Sequence, residues 1–334
     1  MANIRQVAKE AGCSITTVSK VLSGDSEFRV KDETRQKVMD AVAKLQYKIP
    51  ARHQNRHKIA CVLSLSTEKY SDPFFTNILG AMEAECENHN MSIVALRSYS
   101  ELSNPSLLQE ILDGDLEGIV LMERVPEDLL FQLHKHIPNI IYIDNDESDY
   151  HFDSVGFDHN LANRQAMKHI IQHGYKRIAL VSGSSPNEPL DDSVRMSVYR
   201  HYLRKHGLEF DENLVKDCEW NLDICAKQAI ELMELPNPPD AIFAGSDSLA
   251  QSMLGALYSI GVSCPRDVGM MSFNNLDICA RTIPPLSSVA VPTTEIGITT
   301  IRRLHEMIKG NGGMRKKILL PTEVVSRESL VQQD

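Results

Sequence analysis

The sequence predicts an α/β fold class, with an N-terminal all-α helix-turn-helix domain and a two-lobed core with parallel sheets. Three observations support this prediction. The chain has 334 residues, the length of about two domains. Residues 1–46 show only helical periodicity, whereas short apolar runs alternate with longer amphipathic stretches from Ile59 onward. Strands separated by helices are typical of parallel sheets joined by right-handed crossovers.

Charge is distributed unevenly along the chain. Residues 1–58 contain 12 Lys and Arg against 6 Asp and Glu, whereas the remainder carries a net charge of −16 and the whole chain −10. Such asymmetry indicates a basic module for a polyanion, attached to an acidic body. A basic surface that is merely solvated is the alternative that the charge pattern leaves open.

The first two helices are predicted from apolar spacing and from their end signals. Asn3 is a plausible N-cap for a helix with Ile4, Val7, Ala8 and Ala11 on one face. Gly12 ends that helix, because glycine accepts a positive φ. Ser14 caps a second helix, whose apolar positions are Val18, Val21 and Leu22. Helices joined by so short a turn cross steeply, as in a helix-turn-helix. A small helical bundle with a polar surface is the alternative.

The exposed face of the second helix has residue types suited to reading DNA. Short hydroxyls reach bases or phosphates, Ile15 can contact a thymine methyl, and Lys20 neutralises a phosphate. The candidate DNA-binding residues here are Asn3, Ser14, Ile15, Thr16, Thr17, Ser19 and Lys20. A third helix is predicted from about Lys31 to Gln46. Its expected buried stripe is Val38, Met39, Val42 and Leu45.

A polar, basic segment at residues 48–58 separates these helices from the body. Its change in composition marks a domain boundary. Arg52, Gln54 and Arg56 can reach phosphates or the minor groove, and the first two are candidate DNA-binding residues.

The body has the alternating pattern of an α/β protein. Strands are predicted at Ile59–Leu65, Ser92–Leu96, Gly118–Leu121, Ile140–Ile143, Arg177–Val181, Ala241–Ala244 and Val268–Phe273. Helices are predicted at Phe74–Asn88, His159–His173, Ser193–His206, Leu222–Leu235, Leu249–Ile260 and Glu295–Ile308.

Polar residues follow several of these strands, where ligands bind in open α/β sheets. Phe74 follows the first strand, Asp144 the fourth, and Asp247 and Asn274 later ones. Carboxylates and amides suit sugar hydroxyls, while aromatic faces cover the apolar side of a pyranose ring. Asp72 and Asp247 have an alternative role as helix N-caps, since aspartate is common there.

The sequence lacks the motifs of several large enzyme classes. No GxxxxGK[ST], GxGxxG after a strand, HExxH or GxSxG is present, and the seven cysteines form no CxxC pair. No membrane-length apolar run or secretory signal is seen. We therefore expect a cytoplasmic protein that is not an enzyme, with no catalytic residues, cofactor or metal site. An exported sugar-binding protein would share the body but would have no use for residues 1–46.

The helix-turn-helix region resembles the DNA-binding domain of the lactose-repressor (LacI/GalR) family. The matching strings are IRQVAKEAGCS at 4–14, TVSKVL at 17–22, TRQKV at 34–38 and LQY at 45–47. The resemblance extends over essentially the whole chain, through GYKRIALV at 174–181, PPLSSV at 284–289 and EVVSRES at 323–329. It implies a periplasmic-binding-protein-like core. It also implies a transcription regulator, expected to repress carbohydrate-metabolism genes under allosteric control by a sugar-like effector.

The resemblance also suggests effector-binding positions and partners. Arg195 matches the family's effector-binding arginine, and Asp144 and Phe157 match cleft positions. Asp247 matches a family Asn-Asp or similar pair, although its neighbour here is Ser246. Trp220 matches an aromatic that covers the sugar, although a lone tryptophan is more often a core residue. The implied partners are double-stranded operator DNA, the effector and a second copy of the chain in a homodimer. Because the C-terminus has no leucine heptads, we expect no added tetramer helix.

Two features depart from the family pattern. The linker lacks the leucine that wedges into the minor groove, so we expect weaker DNA bending and a larger electrostatic share of affinity. Asn274 stands where many sugar-responsive relatives have an aspartate, and its lack of charge indicates a different effector.

The expected domain division has three parts. A helix-turn-helix domain covers 1–47, a hinge linker 48–58, and an effector-binding and dimerisation core 59–330. Within the core, an N-lobe is expected at about 59–158 and 291–320, and a C-lobe at about 159–290 and 321–330.

Overall fold

The computed structural model describes residues 4–22, 30–45, 47, 56–63, 72–122, 125–144, 151–184 and 189–332. Three helices form the amino-terminal unit: α1 (Ile4–Ala11), α2 (Ile15–Leu22) and α3 (Asp32–Lys44). Val7, Val18 and Val38, one from each helix, are fully buried against one another. This small core fixes the crossing of the two helices that the sequence predicts as a helix-turn-helix.

The third helix differs from the prediction in its buried stripe. Met39 was predicted to be buried, but it is 46% exposed, so that prediction is wrong. Ala41, three residues after Val38, is buried instead. The helical face that meets α1 is therefore rotated away from Met39, because residues three apart share a face. The helix ends at Lys44, before the predicted Gln46, which lies outside the described residues.

Two six-stranded sheets form the body. The first contains β1 (His57–Leu63), β2 (Met91–Ser98), β3 (Gly118–Met122), β4 (Ile140–Ile143), β5 (Asp153–Phe157) and β11 (Lys317–Leu320). The second contains β6 (Ile178–Ser182), β7 (Val215–Asp217), β8 (Ala241–Ala244), β9 (Gly269–Asn274), β10 (Ser287–Ala290) and β12 (Glu323–Val325). The strand orders are β11-β5-β4-β3-β1-β2 and β12-β10-β9-β8-β6-β7. All pairs are parallel except β10 with β12.

Nine helices of the described residues accompany these sheets. They are α4 (Pro73–Asn88), α5 (Tyr99–Leu102), α6 (Pro105–Leu112), α7 (Glu127–His136), α8 (His159–Gln172), α9 (Val194–Lys205), α10 (Leu222–Met233), α11 (Asp247–Ser259) and α12 (Thr293–Ile308). Helix α12 packs on α4, and α8 packs on α9. We call the first sheet with α4–α7 and α12 the N-lobe, and the second sheet with α8–α11 the C-lobe. None of the described helices is both long and apolar enough to cross a bilayer.

The chain passes between the lobes three times. The passages lie between β5 and α8, between β10 and α12, and between β11 and β12. Each lobe repeats the same five-strand winding, in which the first strand lies between the second and the third. In such sheets the carboxyl ends of the strands at the switch in winding form a crevice for ligands. The two crevices belong to β1–β3 in the N-lobe and β6–β8 in the C-lobe.

A buried ion pair holds the C-terminal part of the N-lobe in place. Arg303 of α12 is 3% exposed and donates from Nε to the carboxylate of Asp153, 2.7 Å away. The other carboxylate oxygen of Asp153 accepts the backbone N–H of Lys316, which leads into β11. Arg303 also donates to the carbonyl of Met314 and to Glu306. One carboxylate therefore joins α12, β5 and β11.

Candidate functional site

The second helix presents a polar face beside the small helical core. Ser14 Oγ accepts the backbone N–H of Thr17 at 3.0 Å, so the predicted N-cap is confirmed. Ile15 is 45% exposed, so its apolar side chain is accessible for contact. Thr16 and Lys20 are exposed, whereas Thr17 and Ser19 are half-buried. Asn3, Arg52 and Gln54, the other candidate DNA-binding residues, lie outside the described residues.

On the N-lobe side, the carboxyl ends of β4 and β5 bring Asp144 and Phe157 together. Asp144 has a left-handed backbone with φ of 57°, and its N–H donates to the carbonyl of Val155 at 3.0 Å. Its Oδ1 lies 2.6 Å from Nε2 of His159. The Phe157 ring stacks on the His159 ring at 4.1 Å between centroids. Phe157 is only 3% exposed, so it presents little surface to a ligand.

On the C-lobe side, Arg195 in the first turn of α9 is surrounded by aromatic rings. Its Nη1 donates to Ser182 Oγ at 2.6 Å and its Nε to Asn163 Oδ1 at 3.1 Å. The guanidinium carbon lies 5.0–5.9 Å from the ring centroids of Phe273, Phe243 and Trp220. Aromatic faces attract a cation at this range, so these rings help to hold the guanidinium in place.

Two glycines make room for this arrangement. A Cβ on Gly245 would lie 2.6 Å from Nη1 of Arg195, and a Cβ on Gly183 would lie 2.6 Å from Cγ of Trp220. Side chains at these positions would displace the guanidinium or the indole. Each of these glycines directly follows an apolar strand, and a glycine at such a position is a sequence signal of close approach.

Trp220 lies in a tight turn at the end of β7. Glu219 and Trp220 both have positive φ, 52° and 58°, and the N–H of Asn221 donates to the carbonyl of Cys218 at 2.8 Å. These values describe a type I′ turn, which projects the indole beside Gly183 and Arg195. Trp220 is half-buried: it packs against the C-lobe core and also lies near Arg195.

Asn274 and Asn275 end β9 with φ of 104° and 54°. Asn275 Oδ1 accepts Nη2 of Arg327 at 2.7 Å, and its N–H donates to Ser288 Oγ at 3.0 Å. Asn275 is therefore held by the C-lobe, while Asn274 is half-buried at the end of the strand. This pair of left-handed residues turns the chain at the predicted cleft position.

Asp247 occupies a place that differs from both sequence interpretations. Ser246, not Asp247, caps α11, so the N-cap alternative is wrong for Asp247. Its fully buried carboxylate accepts the hydroxyls of Ser272 and Ser288 and the N–H of Leu276. Burial raises the pKa of Asp247, and these hydrogen bonds act in the opposite direction. With no exposed surface, this carboxylate does not reach a ligand directly in this conformation.

Two further predicted residues lie at the start of α4. Asp72 caps this helix by accepting the N–H of Phe74 at 2.8 Å, so its N-cap interpretation is confirmed. Phe74 is 6% exposed and packs edge-on against Phe75 at 5.0 Å. Its ring therefore belongs mainly to the core.

Sequence reasoning missed several residues that complete the site. His159 binds Asp144, while Asn163 and Ser182 orient Arg195. A single histidine or asparagine on a helix carries no sequence signal of its own. Their roles become visible only in the folded structure, where the start of α8 lies beside Asp144 and Asn163 lies beside Arg195.

Comparisons with known proteins agree with this architecture. A family model described as bacterial regulatory proteins of the lacI family matches residues 3–49. A model of the periplasmic binding protein-like domain matches residues 167–330. The transcriptional repressor MelR of Bacillus subtilis (strain 168) is 28% identical over 98% of this chain and 97% of its own. The repressor CytR of Escherichia coli (strain K12) is 25% identical over 98% and 96%.

Solved structures give the same picture. A complex of the transcriptional regulator CelR with cellobiose has a TM-score of 0.72 and 27% identity, covering 98% of this chain and 100% of its own. A lac repressor dimer bound to operator and an anti-inducer has a TM-score of 0.74 and covers 99% of both chains. At 19% identity, that second structure supports the fold alone.

Proposed function

Because this chain belongs to the lacI family of bacterial regulatory proteins, we propose that it is a sequence-specific DNA-binding repressor of carbohydrate-metabolism genes, controlled allosterically by a small sugar or sugar-derived effector. The observation that carries the proposal is Arg195, held among three aromatic rings of the C-lobe. A planar donor beside aromatic faces matches the hydroxyl edge and the apolar face of a sugar.

The proposed site residues form two groups. Operator DNA contacts the α2 face and the linker through Asn3, Ser14, Ile15, Thr16, Thr17, Ser19, Lys20, Arg52 and Gln54. The effector contacts Phe74, Asp144, Phe157, Arg195, Trp220 and Asn274. Asp247 acts indirectly, because its buried carboxylate holds Leu276 and so positions the turn that carries Asn274.

The mechanism follows from the division of the chain. Residues 1–47 read DNA, 48–58 connect, and 59–330 bind the effector and dimerise. When an effector bridges residues of both lobes, it stabilises one relative orientation of them. Effector affinity and DNA affinity are then coupled, and each changes the other by the same factor. The proposal places this regulator in the cytoplasm and assigns it no catalytic activity, as the regulator names of its relatives support.

The first experiment is in vitro selection of a DNA site by the purified chain, followed by titration at fixed salt with a panel of sugars. The panel includes cellobiose and ribose, which neighbouring regulator structures contain. We expect one DNA site to bind tightly and one panel compound to change its affinity. If the chain binds all DNA sequences equally, the regulator proposal is wrong.

Lys20 provides a test of the DNA-facing surface. Lys20→Gln should lower the slope of log affinity against log salt by about 1, because each neutralised phosphate contributes about 0.9. The loss should be similar for specific and random DNA, since a phosphate contact carries no sequence information. Lys135→Gln, at an exposed position of α7, is the control and should leave the slope unchanged. An unchanged slope for Lys20→Gln would remove Lys20 from the interface.

Gly245 tests the Arg195 arrangement without removing a polar group. Gly245→Ala places a methyl group against the guanidinium and should weaken binding of the active panel compound by about tenfold, the effect of one disturbed charge-assisted hydrogen bond. Gly255→Ala in α11 is the control, since nothing lies within 4 Å of its Cβ. Titration calorimetry of both variants measures the difference. Equal affinities would show that the guanidinium position is unimportant for the ligand.

The homodimer is proposed to use exposed apolar side chains. Leu222 and Ile224 lie on α10, Tyr258 lies on the adjacent α11 and Ile260 directly follows α11; these four residues are 38–84% exposed. Val94, on edge strand β2, is 52% exposed. Exposed large apolar side chains that group on one surface mark protein–protein contacts. A second copy of the chain is the occupant that we propose.

Tyr258 is the most exposed of these five apolar residues, at 84%. Tyr258→Asp should convert a dimer into a monomer, because a buried unpaired charge is costly at an interface. Sedimentation velocity measures the change. Phe131→Asp is the control, as Phe131 is 74% exposed on the N-lobe helix α7. A variant that remains dimeric at micromolar concentration contradicts this assignment.

A further inference from the structure

His159 occupies the first passage of the chain from the N-lobe to the C-lobe. β5 ends at Phe157, and His159 is the first residue of α8. The preceding Asp158 caps α8 by accepting the N–H of Leu161 at 2.8 Å. The helix therefore starts at a fixed point, two residues beyond the N-lobe sheet.

The imidazole is bound to the N-lobe in two ways. Its ring stacks on Phe157 with an interplanar angle of 28°, and its Nε2 lies 2.6 Å from Asp144 Oδ1. A carboxylate accepts hydrogen bonds, so Nε2 is the donor. The N–H of Asp144 donates to the carbonyl of Val155, which holds the Asp144 backbone. Gly156 packs closely against that backbone, since a Cβ added at Gly156 would lie 3.3 Å from the Cα of Asp144.

This contact differs from the other ion pairs of the protein. Among ion pairs in which both partners are described, His159–Asp144 is the one that joins the N-lobe to the C-lobe. It is also partly buried, with side-chain exposures of 27% and 14%. An interaction at that depth is less screened than a surface pair.

The same helix continues the connection to Arg195. The backbone carbonyl of His159 accepts Nδ2 of Asn163 at 2.8 Å, and Asn163 Oδ1 accepts Nε of Arg195 at 3.1 Å. Asn163 is 1% exposed, so its two hydrogen bonds have no solvent substitute. A continuous series of hydrogen bonds thus runs from Asp144 in the N-lobe to Arg195 in the C-lobe.

We propose that His159 is a positioning residue that restrains the hinge between the lobes and couples Asp144 to Arg195 through Asn163. This inference rests on the proposed effector site and adds the regulation of that site. A ligand that competes for the Asp144 carboxylate releases Nε2 of His159. The release frees the start of α8 and, through Asn163, changes the orientation of the Arg195 guanidinium. Hinges of a few element-terminal residues absorb such domain movements.

The test is amide hydrogen exchange of the full chain without any ligand, read by mass spectrometry of peptic peptides. His159→Leu keeps an apolar contact with Phe157 but removes the bond to Asp144. We expect exchange to become about tenfold faster in two regions. One is the N-lobe region formed by residues 140–144 and 153–157, and the other is the first turn of α9 in the C-lobe. Helices α10 and α11 should be unchanged.

Three variants make the result specific. His159→Gln places an amide nitrogen near the position of Nε2 and should restore most of the protection. Asn160→Ala, at an exposed neighbouring position of α8, should exchange as the wild type does. If His159→Leu unfolds the chain globally, Asp144→Asn weakens the same bond from the other side and should give the same regional pattern.

The outcomes separate this inference from the proposed function. Exchange that is unchanged at α9, or a glutamine variant that behaves like the leucine variant, overturns the positioning role. Failure of the wild type to bind any DNA sequence specifically overturns the proposed function instead. Where the wild type binds a selected site, His159→Leu should change that affinity by about three- to tenfold while α2 retains its protection.

Discussion

Replacing Arg303 by methionine is expected to lower the free energy of unfolding by about 3–5 kcal/mol. The substitution leaves the Asp153 carboxylate 2% exposed and without its charged partner. It also removes the donor to the carbonyl of Met314, which lies before β11. Breaking a buried pair costs more than the pair itself contributes, because one uncompensated charge remains in the interior.

Urea unfolding followed by circular dichroism at neutral pH measures this loss. Arg266→Met is the matched control, because the Arg266 side chain is 72% exposed and pairs with Asp267 on the surface. Because solvent screens that exposed pair, Arg266→Met should leave the unfolding transition nearly unchanged. A double variant, Arg303→Met with Asp153→Leu, should recover much of the lost stability, since no charge then remains buried. If Arg303→Met and Arg266→Met have the same free energy of unfolding, the buried Arg303–Asp153 pair contributes no more stability than the exposed Arg266–Asp267 pair.

Replacing Arg195 by methionine is expected to weaken binding of the active sugar by about 10- to 150-fold, or about 1.5–3 kcal/mol. Hydrogen bonds from a charged donor to ligand hydroxyls are worth this much when the site is shielded from water. Three aromatic rings within 5.9 Å provide that shielding. Methionine retains most of the side-chain volume, so the loss reports the missing donors.

Calorimetric titration of the purified variant gives the affinity. Arg200→Met is the control, because Arg200 lies on the same helix but pairs with Asp191 on the exposed side. We expect it to bind as the wild type does. If Arg200→Met loses affinity while Arg195→Met does not, the ligand occupies another part of the C-lobe.

The repeated pattern of apolar strand and amphipathic helix was enough to predict the α/β class. Ile140–Ile143 and Ala241–Ala244 are short apolar runs buried on both faces, so their limits in the structure equal the predicted ones. β5 was missed because it reads DSVGF, with a charged residue and a glycine in five positions. The buried Asp153 carboxylate in this strand is neutralised by Arg303, which lies 150 residues away in the chain.

The candidate site was predictable in part, and the reason differs from residue to residue. Arg195 and Trp220 were identified by the family resemblance and lie beside each other in the structure. Asp247 was expected at the ligand, yet the hydroxyls of Ser272 and Ser288 enclose its carboxylate. Those partners come from two other strands, and local sequence contains no information about them.

His159 and Met39 show the same limit on a smaller scale. The pairing of His159 with Asp144 depends on how β4 and α8 meet at the chain crossover. The exposure of Met39 depends on a rotation of α3 that periodicity alone does not define.

The turn that carries Trp220 has an optical consequence. Trp220 is the only tryptophan of the chain. Its indole is half-buried and lies 5.9 Å from the Arg195 guanidinium. Emission excited at the red edge of the absorption band, where tyrosine contributes little, therefore comes from one place in the C-lobe, beside Arg195. Trp220 is therefore an intrinsic fluorophore that reports on this place alone. Its emission maximum and intensity should follow the polarity around Arg195 during titration and rapid mixing.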